Sequence, residues 1–274
     1  MEQRSLPLKL GFLGGGVMAE AIIRGIIEKK LVDPSSVTVY DVVESRLDLF
    51  QKMGVGTCKN SFEILHADVI VLAVKPDVVS EALKSIKDGW KPEKHLLVSI
   101  CAGVSIGTIE QQLVSKSRVI RVMPNTPCLV GEAAVAFSCG SCATTDDQKV
   151  VEKIFSSVGL ASCVPEKLLD AVTGVSGSGP AYVYMFIEAL ADGGVLNGLP
   201  RDVSLSLATQ TVLGAAKMVA SGNEHPAKLR NAVESPGGTT IHGTSTLEKH
   251  NFRTAVIQAV TAATNRAKEL GGSK

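Results

Sequence analysis

The chain has 274 residues, 45% of them hydrophobic and 20% charged, a composition typical of a globular protein with one large domain or two ordinary ones. Its 28 Lys and Arg residues nearly balance its 27 Asp and Glu residues, so neither a nucleic-acid partner nor an anionic membrane surface is expected. The chain starts without a signal-peptide pattern and its apolar runs are shorter than the ~18 residues that cross a membrane, which favours a cytoplasmic protein with no membrane partner.

The first part of the chain alternates strand-like and helix-like segments. Apolar runs without in–out alternation indicate strands that are buried on both faces, as in a parallel sheet flanked by helices. The predicted strands are Leu8–Leu13, Val37–Tyr40, Val69–Val74, Leu96–Ile100, Val119–Met123 and Ala133–Phe137. Amphipathic helices are predicted between most of them, for example over Met18–Lys30, Val78–Ile86 and Asp146–Val158. The pattern predicts an α/β domain over residues 1–165.

From about residue 166 the spacing of apolar residues becomes helical. Helices are predicted over Lys167–Val175, Pro180–Leu196, Asp202–Ala220, Pro226–Val233, Thr239–Glu248 and Phe252–Leu270. The second of these is apolar around nearly its whole circumference, and its charged residues are Glu188 and Asp192. Such a helix must be covered on all sides, and a bundle of this size cannot easily supply the cover by itself. Residues 166–274 are therefore predicted to form an all-α domain through which two copies of the chain dimerise.

A glycine-rich turn follows the first predicted strand. It has the pattern G-x-G-x-x-A and consists of Gly14, Gly15, Gly16, Val17, Met18 and Ala19. Between a strand and a helix, such glycines allow a tight turn and the close approach of a pyrophosphate, whose charge is favoured by the free N–H groups at the helix start. This context predicts a Rossmann-like dinucleotide site rather than an ordinary glycine-rich turn.

Charged residues after later strands bear on which dinucleotide binds. Asp41 ends the second strand, where a carboxylate can accept hydrogen bonds from the ribose 2′-OH of NADH and repel the 2′-phosphate of NADPH. Arg46, one helical turn further on, would weaken that preference, so these residues favour NADH and leave NADPH open. Lys75, after the third strand, is explained equally well as a phosphate contact and as a solvated loop lysine.

The cysteines do not indicate a metal site. Cys139 and Cys142, among six cysteines, form a single C-x-x-C, whereas zinc sites usually need a second pair or histidines at matching spacing. We therefore expect no metal, and in a cytoplasmic protein we expect reduced thiols.

Several motifs carry a resemblance to a known family. They are GFLGGGVMAEAI (Gly11–Ile22), AVKP (Ala73–Pro76), RVMPNTP (Arg121–Pro127), GVSGSGPAYVY (Gly174–Tyr184), EALADGG (Glu188–Gly194) and SPGGTTI (Ser235–Ile241). In this order they resemble pyrroline-5-carboxylate reductase over essentially the whole chain. The resemblance implies the reduction of 1-pyrroline-5-carboxylate to L-proline with NADPH or NADH, by a homodimer that in this family often assembles further into a homodecamer, so dimer and decamer both stay open.

The resemblance also implies which residues bind the cofactor and the substrate. Cofactor contacts are implied for Gly14, Gly15, Gly16, Val17, Met18, Asn60, Ala73, Val74, Lys75, Pro76, Ile100, Cys101 and Ala102. Substrate contacts are implied for Ser235, Gly238, Thr239, Thr240 and Glu166. Two positions depart from the family pattern, because Asp41 stands where many members have a serine and Ala232 replaces an asparagine that some relatives have.

The chemistry of the SPGGTT stretch agrees with a site for a small carboxylate. Pro236 and Gly237 suit the centre of a turn, with the glycine at a positive φ. The N–H groups of Gly238, Thr239 and Thr240 are then expected to be unpaired at a helix start, where an anion is favoured. The Thr240 hydroxyl is the candidate catalytic group, because it can hydrogen-bond the ring nitrogen of a cyclic imine and orient the imine for hydride transfer.

Two other functions compete with imine reduction. A β-hydroxyacid dehydrogenase shares the two-domain plan but carries a lysine shortly after a G-x-x-G-x-G stretch. Here Val183 stands at that place, and no lysine occurs between Leu169 and Leu196. A catalytically silent dinucleotide-binding scaffold would be expected to lose the substrate loop first, yet both loops are intact. Imine reduction therefore explains the residues best.

Overall fold

The computed structural model describes residues 8–222 and 224–272, which form two compact units. The first unit contains the sheet, runs to Ser178 and resumes at Ala262, and the second is the helical segment Gly179–Thr261. The sequence places the domain boundary at residue 165, and the sheet unit continues past that residue through short helical turns. An α/β unit followed by a helical unit is the architecture that the sequence predicts.

The first unit is built on an eight-stranded sheet. Its strands are β1 (Leu10–Leu13), β2 (Val37–Tyr40), β3 (Gly56–Cys58), β4 (Val69–Leu72), β5 (Leu96–Ser99), β6 (Arg118–Met123), β7 (Ala133–Cys139) and β8 (Gly159–Cys163). Their order is β3-β2-β1-β4-β5-β6-β7-β8, and every neighbouring pair is parallel except β6 and β7. The strand order reverses beside β1, and open α/β sheets bind ligands at the carboxyl ends of the strands next to such a reversal.

Alternate residues of the central strands enter two apolar layers on opposite faces of the sheet. In β1, Leu10 and Phe12 pack in one layer and Leu13 packs in the other, and β4 divides its residues in the same way. Every residue of β1, β4 and β5 is buried. The unbroken apolar runs of the sequence are therefore strands covered on both faces, as predicted.

Helices cover both faces of the sheet and make up the second unit. The α-helices among the described residues are α1 (Val17–Glu28), α2 (Glu44–Lys52), α3 (Val79–Ile86), α4 (Ile106–Glu110), α5 (Thr145–Ser156), α6 (Leu169–Val172), α7 (Gly179–Leu196), α8 (Arg201–Ser221), α9 (Pro226–Ala232), α10 (Thr239–Lys249) and α11 (Phe252–Leu270). Within the second unit, α7 and α8 approach closely where Gly194 leaves space for Ser204. The Ser204 hydroxyl donates to the Ala191 carbonyl at 2.6 Å.

The sequence does not predict α2, β3 and β8. Phe50 is the one buried residue that α2 has, so its apolar signal is weak. The strand β3 is three residues long, and β8 is an edge strand whose residues are half-buried or exposed. Their backbone pairing with β2 and β7 makes them strands, and such pairing leaves little mark on a sequence.

The sequence predicts a parallel sheet, but one pair of strands, β6 and β7, is antiparallel. The connection between β6 and β7 covers residues 124–132 and contains the 3₁₀ turn Thr126–Val130. A parallel neighbour would need a crossover of a dozen or more residues, so the chain turns back and β7 pairs antiparallel to β6.

The single helix predicted over Lys167–Val175 is wrong in detail. This stretch consists of a 3₁₀ turn (Glu166–Leu168), the short α6 and a π-helical turn (Thr173–Gly177). Glycines lower helix propensity and a proline cannot donate a helical hydrogen bond, so Gly174, Gly177 and Pro180 disfavour a regular helix here.

Gly25 of α1 gives a test of packing in the sheet unit, because a Cβ at this position would overlap Cγ1 of Val158. Gly25→Ala gains up to about 1 kcal/mol in helix propensity, but overpacking costs about 1–3 kcal/mol. We expect a lower free energy of unfolding in urea. In a Val158→Ala background the added methyl has room, so the same substitution should stabilise the protein.

Gly107→Ala in α4 is the matched control, since the nearest neighbouring atom lies 4.0 Å from the added Cβ. It should leave the free energy of unfolding unchanged or raise it by under about 1 kcal/mol. An equal loss from Gly25→Ala in both backgrounds would show that Val158 is not the cause.

Candidate active site

The structure brings most of the predicted cofactor residues to one edge of the sheet. Strands β1 to β5 are parallel, so their carboxyl ends meet there. The segments that follow these strands are Gly14–Met18 after β1, Asp41 after β2, Asn60 after β3, Ala73–Pro76 after β4 and Ile100–Ala102 after β5. Five separate predictions thus fall on a single edge, which we call the ligand edge.

The glycine-rich turn has the geometry of a phosphate loop. Gly14 has φ +105°, and its N–H donates to the Tyr40 carbonyl at 2.8 Å. A Cβ on Gly14 would lie 2.6 Å from the Ala73 carbonyl oxygen, so another residue does not fit. Gly16 begins α1 without a side-chain cap, and nothing lies within 4 Å of the position of its missing Cβ. The uncapped N–H groups of the first turn are therefore open to an anion.

Asp41 and Arg46 hold the Gly15 residue from two sides. The Asp41 Oδ2 accepts the Gly15 N–H at 2.7 Å, and the Nε of Arg46 donates to the Gly15 carbonyl at 2.6 Å. The Arg46 guanidinium also lies over the Phe50 ring, 5.6 Å from its centroid. A Cβ on Gly15 would approach Phe50 Cε2 to 2.8 Å. We call Asp41, Arg46 and Gly15 the loop clamp, because the two side chains together fix the two successive peptide groups on either side of the Gly15 Cα.

The loop clamp continues into an ion-pair network on α1. Glu20 accepts Arg46 Nη2 at 2.8 Å and Arg24 Nη2 at 2.8 Å. Partial burial tends to raise the pKa of Glu20, but the hydrogen bonds and charges of the two arginines outweigh burial and lower that pKa. Glu20 is therefore ionised at neutral pH and keeps Arg46 in place. From the sequence, Arg46 is expected to act through its charge on cofactor choice, and its positioning contact with Gly15 is not predicted.

A cavity of about 150 Å³ lies beside the glycine loop, between the carboxyl ends of β1, β2 and β4 and the helix α3. Its lining combines apolar groups of Val42, Val74 and Val78 with the carboxylates of Asp41 and Glu81. Apolar walls with a few polar groups suit a planar base and its ribose. The adenosine end of a dinucleotide therefore fits this side of the ligand edge.

The remaining cofactor candidates differ in what they can offer. Cys101 is buried, and its Sγ lies 3.2 Å from the Val74 carbonyl oxygen, so this residue presents backbone rather than thiol to the ligand edge. Burial raises the pKa of Cys101. The Asn60 Oδ1 accepts the Phe62 N–H at 2.9 Å and caps a 3₁₀ turn. Lys75 is exposed.

The predicted substrate loop lies in the helical unit and forms a turn that leads into α10. Gly237 has φ +68°, as predicted for the turn. The prediction of a free Gly238 N–H is wrong, because this group donates to the Ser235 carbonyl at 3.0 Å and closes the turn. A Cβ on Gly238 would overlap Ser235 Oγ, so a larger residue there would displace the Ser235 hydroxyl.

The first turn of α10 still has unpaired N–H groups, although the Gly238 N–H is paired within the preceding turn. Gly238 begins the helix without a side-chain cap, and the first helical bond runs from the His242 N–H to the Gly238 carbonyl at 3.5 Å. The N–H groups of Thr239, Thr240 and Ile241 precede this bond. A second contact from His242 Nδ1 to the Gly238 carbonyl, at 2.9 Å, holds the helix start together. Thr240 is half-buried.

Glu166 lies in the sheet unit and is engaged there. Its Oε1 accepts the Ile106 N–H at the start of α4 at 2.8 Å and pairs with Arg121 Nη1 at 3.2 Å. Arg121 is nearly buried and needs this partner and Asp170, 3.9 Å away, to balance its charge. These contacts give Glu166 a structural role, and its role toward the substrate stays a prediction.

The helical unit leaves a large apolar surface uncovered in the single chain. Exposed apolar side chains of α7 and α8 include Val183, Tyr184, Met185, Phe186, Leu190, Val203, Leu205 and Leu207. A groove of about 580 Å³ runs between Tyr184, Glu188, Arg201 and Leu205. Patches of this size on a soluble protein mark an interaction surface.

Of the described helices, α8 is the one that could cross a membrane by length and composition, with a mean hydropathy of 1.2 and 11% of that window buried. An apolar helix that a second subunit covers meets the same criterion.

Among residues 8–222 and 224–272, no group of three or more His, Cys, Asp or Glu side chains is placed to hold a metal ion. All six cysteines are free thiols. Burial raises the pKa values of Cys58, Cys128 and Cys139 to about 11, which leaves these thiols protonated at neutral pH.

Comparison with known proteins identifies relatives for both units. Residues 166–270 match the family model for the dimerisation region of pyrroline-5-carboxylate reductase, and residues 9–103 match that of coenzyme F420-dependent NADP oxidoreductases. The chain is 46% identical over 267 residues to pyrroline-5-carboxylate reductase of Arabidopsis thaliana, which covers 97% of this chain and 96% of the relative. It is also 46% identical to the Methanosarcina acetivorans protein of that name over 265 residues, 96% and 98% of the two chains.

Solved structures give the same result. The pyrroline-5-carboxylate reductase of Coxiella burnetii superposes with a TM-score of 0.92 at 38% identity, covering 97% of this chain and 99% of the other. The Plasmodium falciparum pyrroline carboxylate reductase, solved with NADP bound, has a TM-score of 0.87 at 37% identity and the same coverage.

The fold, the phosphate loop and the ligand edge define a dinucleotide-dependent oxidoreductase with a dimerisation region. More particularly, the chain belongs to the pyrroline-5-carboxylate reductase family, as its motifs predict.

Proposed function

We propose that this chain reduces 1-pyrroline-5-carboxylate to L-proline, with the substrate held by Ser235–Thr240 and the cofactor at the ligand edge. The observation that carries the proposal is the uncapped start of α10 directly after a glycine turn. It supplies an anion site in a chain whose dinucleotide loop is also complete. Full-length similarity to reductases of this name supports the same reaction.

The substrate carboxylate is the group that the α10 start suits. The N–H groups of Thr239 and Thr240 carry the partial positive charge of the helix start, and charge-assisted hydrogen bonds to a carboxylate are roughly twice as strong as neutral ones. Ser235 and Gly238 shape the turn through their mutual hydrogen bond. The negative end of the substrate would thus be fixed by backbone geometry, which a side-chain substitution changes little.

Thr240 is the proposed catalytic group. Its hydroxyl can hydrogen-bond the ring nitrogen through both the iminium and the amine states, which orients the imine carbon. The nitrogen carries its proton from solvent, the bound NADPH or NADH supplies the hydride, and a C–H bond forms as the C=N π bond breaks. No strong acid is required at this position, and the absence of a lysine between Leu169 and Leu196 agrees with imine rather than alcohol chemistry.

The cofactor is proposed to lie along the ligand edge, with its pyrophosphate on the glycine loop. Gly14, Gly15 and Gly16 are proposed to hold the pyrophosphate, with Val17 and Met18 in the first turn of α1. The roles proposed for Asn60, Ala73–Pro76 and Ile100–Ala102 follow from their positions along the same edge. Asp41 accepts the N–H groups of Gly15 and Val43, one on each carboxylate oxygen, and its remaining lone pairs are proposed to accept from the ribose.

We also propose a homodimer formed through α7 and α8, supported by their uncovered apolar side chains. Further assembly into a homodecamer would follow the resemblance, and the mass in solution decides between the two. The free state of the cysteines supports the cytoplasm as the proposed location.

Thr240→Ala tests the proposed reaction together with the role of the hydroxyl. The wild-type protein should consume NAD(P)H at 340 nm when pyrroline-5-carboxylate is added. The variant should lose at least tenfold in kcat/KM, a loss of about 1.4 kcal/mol in transition-state stabilisation. Thr240→Ser keeps the hydroxyl and should retain most of the activity. Near-normal kinetics of Thr240→Ala would refute the role of Thr240, and an inactive wild type would refute the proposed reaction.

Asp41→Ser tests cofactor choice. Removal of the carboxylate should raise the ratio of kcat/KM with NADPH to that with NADH at least fivefold, because a 2′-phosphate is no longer repelled. The KM values for both cofactors should rise as the Gly15 N–H loses its acceptor. Asp68→Ser is the control, since Asp68 accepts the Lys9 N–H at 3.0 Å at the start of β4, the opposite end of the strand from the ligand edge. An unchanged ratio would show that Asp41 does not read the ribose.

Phe186→Asp tests the proposed interface. Phe186 packs against Phe252 with ring centroids 6.0 Å apart and is still 38% exposed in the single chain. A charge there should convert dimers or larger assemblies to monomers or unfold them, as measured by light scattering. Val114→Asp is the matched control, because Val114 is also 38% exposed but lies in the sheet unit. A stable assembly of unchanged mass would contradict the interface.

A further inference from the structure

The Ser176 carbonyl in the π-helical turn Thr173–Gly177 has lost its regular α-helical donor. In a regular helix the Ser176 carbonyl would accept from the N–H of residue 180. Residue 180 is a proline and has no N–H. Ser176 is partly buried, so a donor from another segment that pairs with its carbonyl stabilises the turn.

Asn125 supplies that donor. Its Nδ2 donates to the Ser176 carbonyl at 3.0 Å, and its Oδ1 accepts the Ala134 N–H at 3.0 Å. The side chain is buried, with 7% exposed. An amide has one donor end and one acceptor end, and both neighbours here match them, so the orientation of this amide is fixed by its surroundings. Asn125 therefore ties the π-helical turn to β7.

A second contact joins the same two segments. A Cβ on Gly177 would lie 2.7 Å from the Cε of Met123, so glycine lets the end of β6 pack closely on the turn. Met123 and Asn125 both belong to the RVMPNTP motif, and Ser176 and Gly177 belong to the GVSGSGP motif. The two motifs are thus parts of one joint, which we call the π joint.

The position of the π joint relates it to the dinucleotide. Asn125 follows β6, and β6 is parallel to β5, so the joint comes directly after Ile100–Ala102 along the ligand edge. The cavity suited to adenosine lies at the other end, beside Asp41. An extended dinucleotide with its pyrophosphate on the glycine loop therefore directs its nicotinamide half toward β5 and β6.

We propose that Asn125 is a positioning residue that holds the Thr173–Gly177 turn as a wall at the nicotinamide end of the ligand edge. It acts through the Ser176 carbonyl and touches neither the cofactor nor the substrate. This inference rests on the proposed function for its cofactor and deepens it. Loss of the hydrogen bond shifts the wall, so the nicotinamide ring is held less well while the adenosine half is unaffected.

Asn125→Asp separates the two contacts of this side chain. The carboxylate still accepts the Ala134 N–H, but it no longer donates to Ser176 and repels that carbonyl. We expect kcat to fall at least tenfold and the deuterium isotope effect with reduced cofactor labelled at the transferred hydride to rise, because hydride transfer becomes slower relative to the other steps. Asn197→Asp is the matched control, since Asn197 also donates to a carbonyl, that of Gly193 at 2.8 Å, in the helical unit.

Ligand binding gives a readout that does not depend on turnover. Calorimetry with NADP⁺ or NAD⁺ and with the matching ADP-ribose, which lacks nicotinamide, measures what the nicotinamide adds to affinity. Asn125→Asp should weaken the oxidised dinucleotide at least fivefold relative to wild type and change ADP-ribose affinity less than twofold. Asn125→Ala, which introduces no charge, should show the same pattern and carries the test if the aspartate variant does not fold.

Equal loss of both ligands would overturn the inference, since Asn125 would then serve the folding of the whole unit. Unchanged binding of both ligands with unchanged kcat would overturn it as well. A wild type that binds the dinucleotide but does not reduce pyrroline-5-carboxylate refutes the proposed function, and a selective loss of nicotinamide affinity in the variants would still support the inference.

Discussion

The site depends on two successive peptide groups of the glycine loop, those on either side of the Gly15 Cα, being fixed before any ligand arrives. Asp41 accepts the Gly15 N–H and Arg46 donates to the Gly15 carbonyl, while Phe50 closes the space where a side chain would stand. Glu20 holds Arg46 in turn through an ion pair on α1. Because the loop is held by groups on β2, α2 and α1, the phosphate site is preorganised and little ordering entropy is lost on binding.

The sequence predicts the central sheet well because its strands are buried on both faces. The boundaries of β2 are as predicted, and those of β4 and β5 differ at one end. The elements that the sequence does not predict share a weak apolar pattern. The strands β3 and β8 depend on backbone pairing, and Phe50 is the one buried residue among those described in α2. The direction of β7 depended on the length of its connection, which a search for apolar periodicity does not weigh.

The candidate site divides in the same way. The sequence predicts the glycines at positive φ and the acid after β2, because few residue types suit the positions of Gly14, Gly237 and Asp41. The pairing of the Gly238 N–H with Ser235 depends on how tightly the turn closes, which residue types do not fix. Asn125 was visible in a motif, and the clue to its role was Pro180, a missing donor more than fifty residues away in sequence.

If α7 and α8 form the proposed dimer interface, the stability of this chain is linked to its concentration. Met185 is 70% exposed and Leu207 is 55% exposed in the single chain, so a second copy that covers them would add to the apolar burial of each protomer. Mass action then makes the melting temperature climb as the protein is concentrated and drop on dilution. At low concentration, newly synthesised chains would therefore be less stable until two of them meet and associate.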